Sequence, residues 1–188
     1  MLYDMAVERD KIIACFLPAS SSLLEKSVLN SLAARMAPAN TTGREPMVHT
    51  ELFFPQHEVG SDVSGVSCGI HYGGKVFMAP KMFSRKDWLF RSFSCTPRQR
   101  KMVQEFCQGQ TGHGFNYMGY YTPCNIASRD QKNGPWYCSE LTSAALAHAG
   151  IIDYDYAAAS HPDALYEYVL ENTYADCGRT IDFKNIKI

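Results

Sequence analysis

The sequence predicts an α+β domain in which an antiparallel sheet is laid down early and most of the helices follow. Three observations carry this. Short apolar runs of strand length, stopped by turn residues, fill the region between residues 10 and 93. Two of them, residues 47–54 (MVHTELFF) and 66–72 (VSCGIHY), flank a stretch rich in turn residues: Pro55, Gly60, Ser61, Asp62 and Gly65. Apart from one segment after Ser20, Ser21 and Ser22, the helix signals come after Thr96.

In chain order, residues 10–17 (DKIIACFL) read as a buried strand, with β-branched members and a stop at Pro18. Ser20, Ser21 and Ser22 offer N-caps to a helix through about Met36, with Leu23, Leu24, Val28, Leu29 and Leu32 at helical spacing. Residues 37–46 are a loop. The strand at 47–54, the alternating strand at 66–72 with Val66, Cys68, Ile70 and Tyr72 on one face, a Gly73-Gly74 turn and a third strand at Lys75–Ala79 form an antiparallel meander. Residues 87–93 form a strand or a bridging segment. Lys81, Arg85, Lys86 and Arg91 read as a solvated edge. Thr96 and Pro97 open a helix with an apolar stripe of Val103, Phe106 and Cys107. Residues 108–135, rich in Gly, Asn, Tyr and Pro, form a long irregular segment of the kind that often carries function. Helices follow at 138–149, ended by Gly150, and at 162–171; Arg179–Ile188 reads as a final strand.

The 188 residues fit a single domain covering the whole chain, large enough to bury a core. Hydrophobic residues make up 46%, charged residues 20%, and the net charge is −1. No Lys/Arg block supports nucleic-acid binding. No run approaches the roughly 20 apolar residues of a membrane span. The acidic and basic residues Asp4, Glu8, Arg9 and Asp10 do not make a signal peptide, so a cytoplasmic location is expected. The seven cysteines are odd in number and irregularly spaced, which suits free thiols in a reducing compartment. Cys68-x-x-His71 has a local metal-ligand spacing, but no second pair follows, and Cys95, Cys107, His113 and Cys124 are too irregular for zinc; no metal or organic cofactor is expected.

One cysteine stands apart. Cys138 opens the helix CSELTSAALAHA directly after Trp136 and Tyr137. A helix N-terminus carries partial positive charge and free backbone N–H groups, so it favours a thiolate nucleophile and can hold an oxyanion. Such a nucleophile needs a base. His49, flanked by apolar residues in MVHTELFF, is the candidate, since histidine suits proton transfer near neutrality. A third group should orient the imidazole. If the hairpin turns about Gly60, facing residue numbers sum to about 120, which sets His71 beside His49. Glu51, two residues from His49, shares its face and competes for the role. Against this stands the plain alternative of a core cysteine and a structural histidine.

The order of strand, helix, HTELFF, β-meander, HGFNYMGYY and WYCSEL opening a helix resembles the circularly permuted NlpC-type branch of the papain-like superfamily, which has bacterial and poxviral members. The pattern runs from about residue 10 to about residue 170. The resemblance implies a permuted papain-like fold, with a meander or barrel packed on the helix of the nucleophile. It also implies Cys138 as nucleophile, His49 as base and a third polar group, His71 or Glu51. Asn116–Tyr121 resembles a substrate-side loop, so Asn116, Tyr117 and Tyr120, with Trp136 and Tyr137, are the expected substrate contacts. Pro162 and Asp163 resemble a recurrent feature near the active site. A viral member would work in the host cytosol.

The implied activity is cleavage of a peptide or isopeptide amide through a thioacyl-enzyme. Acyl transfer from lipids, as in the lecithin–retinol acyltransferase branch, and a catalytically idle binding protein are the alternatives, because one fold serves many functions.

Overall fold

A computed structural model describes residues 10–24, 43–59, 62–121, 133–155, 159–172 and 181–182. The expected helix beyond Leu24 lies outside the described residues, as do Cys124 and Cys177. Among the described residues the architecture is α+β: an open antiparallel sheet with four helices. The strands are β1 (Asp10–Pro18), β2 (Met47–Val59), β3 (Asp62–Gly69), β4 (Phe77–Ser84), β5 (Leu89–Cys95) and the two-residue β6 (Ile181–Asp182). Their order across the sheet is β4-β3-β2-β1-β5-β6. Strands β2, β3 and β4 are the expected meander, but the described sheet does not close into a barrel.

β1 is the central strand because it is apolar on both faces. Ile12, Ala14 and Phe16 enter the larger of two hydrophobic clusters, while Ile13, Cys15 and Leu17 enter the smaller one. It pairs with β2 (Ile13 opposite Phe53) and with β5 (Cys15 opposite Phe90), which settles residues 89–95 as a strand. The β2–β3 hairpin pairs Leu52 with Cys68 and Phe53 with Ser67. The register shifts between Pro55 and His57, where proline cannot donate to the ladder. β4 begins later and runs further than expected. Its ladder with β3 extends to Asp62–Ser84, and Pro80 is tolerated because β4 is an edge strand.

The first helix, α1 (Pro97–Gln110), is closed by a capping box: Thr96 Oγ1 accepts from Gln99 N (3.2 Å) and Gln99 Oε1 accepts from Thr96 N (3.0 Å). Within the segment expected to be irregular lies a short helix, α2 (Tyr117–Tyr121). The others are α3 (Cys138–His148), ended at Gly150 with φ 63°, and α4 (Pro162–Asn172). α3 packs against β2, α1 and α4. No helix among the described residues is long and apolar enough to cross a membrane.

The basic residues expected at a solvated edge divide. Lys86 is exposed, but Arg91 is buried and Lys81 half-buried. Arg91 donates to the Phe90 carbonyl (3.2 Å) and to the Tyr166 hydroxyl, and its guanidinium lies 4.4 Å from that ring's centroid. The partner comes 75 residues later, so local patterning could not reveal the pairing.

Gly65 lets the hairpin close tightly. A Cβ there would lie 2.9 Å from Phe53 Cζ and closer still to the Phe54 carbonyl oxygen. Gly65→Ala is expected to lower the urea midpoint, by about 1–3 kcal/mol of stability as for other overpacked sites. An unchanged midpoint would show that the hairpin can open there without loss.

Candidate active site

The approach to Cys138 is held in the core. Trp136 donates its backbone N–H to Gly114 O (3.0 Å), and its carbonyl accepts from Asn116 N (2.9 Å). Its indole N–H donates to Gln110 Oε1 (2.9 Å), which also accepts from Gly134 N (3.2 Å). One step on, Tyr137 N donates to Glu140 Oε2 (3.4 Å), and the same oxygen accepts from Asn116 Nδ2 (3.2 Å). Glu140 is 1% exposed; burial pushes its carboxyl up to about 7, against the lowering effect of its two donors. These bonds aim the first turn of α3, with Cys138 at its head, toward the start of β2.

The start of β2 is pinned from the other side. Asp163, in the first turn of α4, accepts from Met47 N (2.7 Å) and pairs with Arg44 (2.8 Å). Two residues further on is His49, which lines one pocket with Cys138 and whose Nε2 lies 3.2 Å from Glu51 Oε1. Burial alone would lower its pKa. The hydrogen bonds and charges of Cys138 and Glu51 outweigh burial and raise it to about 9.

Glu51 is fully buried and fully engaged. Ser67 Oγ donates to Oε2 (2.6 Å), and Lys81 Nζ donates to Oε1 (2.6 Å). Burial would raise the carboxyl, but the His49 hydrogen bond and charge, with Lys81, hold it down at about 2. The Lys81 ammonium is 4.6 Å from the Phe83 ring centroid and 4.9 Å from that of Trp88. His71 lies beside His49 with ring centroids 5.3 Å apart and stacks on Phe77 at 5.0 Å. Its pKa is lowered by burial and by the charge of His49. Among the described residues, His71 therefore meets His49 by stacking, whereas the hydrogen bond comes from Glu51.

His49, Glu51 and His71 each bring a possible metal-ligand atom within 4.8 Å of the others. Lys81, however, already places a cation on the glutamate oxygen that faces His49, and a raised imidazole pKa opposes metal coordination. The trio fits an internal ion-pair network better than a metal centre.

Cys138 and His49 face a small pocket that opens to solvent. Its remaining walls are Leu24, Val48, Ile70, Tyr72, Phe115 and Tyr120. The expected substrate contacts are redistributed accordingly. Tyr120 is a wall of the pocket, and Tyr117, 49% exposed, packs on Phe115 and Tyr72 nearby. Asn116 supports the loop, accepting from Gly119 N (2.9 Å) and donating to Glu140. Trp136 and Tyr137 are each 1% exposed and correct the expectation: they are core residues that carry the chain to Cys138. Lys81 and Ser67 were missed because only the folded register brings them to Glu51; Glu140 was missed although its bond from Tyr137 N spans only three residues.

Comparison with protein-family models, with curated proteins and with solved structures gave no match. The family resemblance of the sequence therefore stays a proposal.

The two shifts set a pH window. His49, raised from 6.5 to about 9, contributes stability that is complete below 6.5 and lost as pH rises through 9. Glu51, lowered from 4.5 to about 2, contributes stability that is complete above 4.5 and lost as pH falls through 2. Thermal unfolding across this range should show both contributions intact between 4.5 and 6.5. In Glu51→Gln both slopes should flatten. An unaltered pH profile in that variant would disprove the coupling.

Proposed function

We propose that this protein is a cysteine-dependent amide hydrolase with the circularly permuted papain-like arrangement, Cys138 as nucleophile, His49 as base and Glu51 as the orienting group. The observation that carries the reading is an imidazole hydrogen-bonded to a buried carboxylate and sharing one open pocket with a thiol at a helix head. The chemistry follows from that geometry. Glu51 engages Nε2, which leaves Nδ1 to take the thiol proton. The thiolate adds to the substrate carbonyl, forming an S–C bond and an oxyanion. Backbone N–H groups of the first turn of α3 lack intrahelical acceptors and are placed to stabilise that charge. Collapse expels the amine, which leaves with the proton from His49. Water, deprotonated by His49, then cleaves the thioester, releases the carboxylic acid and regenerates Cys138.

Glu51 is preferred over His71 because it hydrogen-bonds to the base and carries the charge that stabilises an imidazolium. The order of chain segments, base first and nucleophile late, is what the permuted arrangement requires. A peptide or isopeptide is the proposed substrate, and nothing in the mechanism calls for a cofactor.

Site-resolved alkylation by iodoacetamide tests the dyad. Cys138 should label faster at pH 6 than the buried Cys15 or Cys107, and His49→Ala should slow it by about 100-fold, the scale of a lost general base. Equal labelling in wild type and His49→Ala would sink the pairing. Cys138→Ala should leave the unfolding midpoint near that of the wild type while abolishing turnover. The orienting group separates by rate: Glu51→Ala should slow Cys138 labelling more than His71→Ala does. The reverse order would transfer the role to His71.

A further inference from the structure

Most of the described side chains that line the pocket beside Cys138 are apolar or aromatic, and this constrains what the nucleophile can attack. Leu24, Val48, Ile70 and Phe115 supply hydrocarbon, and Tyr72 and Tyr120 supply rings. The Tyr72 hydroxyl is hydrogen-bonded to that of Tyr121, so it is already engaged. His49 and Cys138 are the two remaining lining groups, and both belong to the proposed chemistry. Among the described residues, no acidic or basic side chain other than His49 lines the space to receive a charged substituent. A carboxylate or ammonium entering it would lose hydration without a partner, whereas each buried methylene is favourable.

We propose that the site acts on an apolar acyl group: the substituent flanking the scissile carbonyl is an uncharged branched, aromatic or alkyl group seated against Val48, Ile70, Phe115 and Tyr120. The inference rests on the reading of Cys138 and His49 as nucleophile and base. The pocket is open to solvent, so it can receive the flanking group from outside while the rest of the substrate stays in water. Two sources share this chemistry, an apolar amino-acid residue of a peptide and the acyl chain of a lipid. The exposed Tyr117 and Met118 of α2, 49% and 76% exposed, make the second worth an arm of the test.

The test uses chloromethyl ketones, in which the Cys138 sulfur displaces chloride. The full chain is treated with acetyl-Phe, acetyl-Leu, acetyl-Glu and acetyl-Lys chloromethyl ketones and with alkyl chloromethyl ketones of increasing length. Labelling of Cys138 is read by mass spectrometry and divided by its iodoacetamide rate. The Phe and Leu reagents should label about 100-fold faster than the Glu and Lys reagents, given the cost of an unpaired buried charge. In the alkyl series each methylene should add up to about fourfold. A plateau at the size of a Phe side chain supports a peptide residue, and a rise continuing to ten carbons supports a lipid acyl chain. Val48→Glu should bring the Lys reagent ahead of Phe; Val48→Ala, which only widens the pocket, should keep the apolar preference and favour longer chains. Equal rates for all four amino-acid reagents in the wild type, with fast His49-dependent iodoacetamide labelling, would overturn the apolar acyl group and leave the dyad standing. Slow iodoacetamide labelling would overturn the dyad and this inference with it.

Discussion

Everything at the centre of this molecule depends on a carboxylate buried in a sheet. Glu51 has no exposed surface, and an ionised carboxylate taken out of water is untenable unless it is paired and hydrogen-bonded. The fold meets that demand with three strands. Ser67 comes from β3, Lys81 from β4, and His49 from the same strand two residues away. Gly69 completes the arrangement by leaving space, since a Cβ there would lie 2.8 Å from Glu51 Cγ. A slip of one residue anywhere in the β2–β3–β4 ladder would turn a partner to the opposite face and leave the charge unpaired. The network therefore specifies register as much as it contributes stability.

The second half of the site is built independently and is delivered to the first. Gln110 at the end of α1 receives the indole of Trp136, and Glu140 receives Tyr137 N and Asn116. These are neutral or weakly charged hydrogen bonds made inside the core, where water does not compete. Asp163 does the corresponding work on the strand side, holding Met47 and hence the approach to His49. Two buried polar networks, far apart in sequence, thus fix the two ends of one thiol–imidazole contact.

Much of this was legible in the residues. Residues 10–17 read as a buried strand and Thr96-Pro97 as a helix start, and both elements are present. The turn about Gly60 made the register readable: Leu52 opposite Cys68 keeps the same sum that puts His71 beside His49. What stayed hidden has a common cause. Lys81 lies beyond the expected strand end at Ala79, whereas β4 continues through Pro80, which its edge position tolerates. Arg91 is buried because of Tyr166, a residue in another element entirely. Trp136 reads as a substrate contact but is buried, because sequence shows that an aromatic ring adjoins Cys138, not which way the backbone turns it. The choice between Glu51 and His71 could not be made from spacing, since both reach His49 from neighbouring positions.

The relation between the two histidines resolves that choice in physical terms. Their rings are stacked 5.3 Å apart, and two imidazolium ions at that distance would repel. One proton must go to one ring. Glu51 and Cys138 both bond to His49 and favour its charged form, while His71 has Phe77 on its other side and is pushed toward neutrality by burial and by His49 itself. The asymmetry lies in what surrounds the rings: a neutral His71 can pack flat against a cationic His49 without competing for its hydrogen bonds. Stacking then limits how the His49 ring can tilt, while Glu51 limits how it can rotate about its own axis. Together they hold one nitrogen on the carboxylate and leave the other free of that bond, on a ring that lines the same pocket as Cys138.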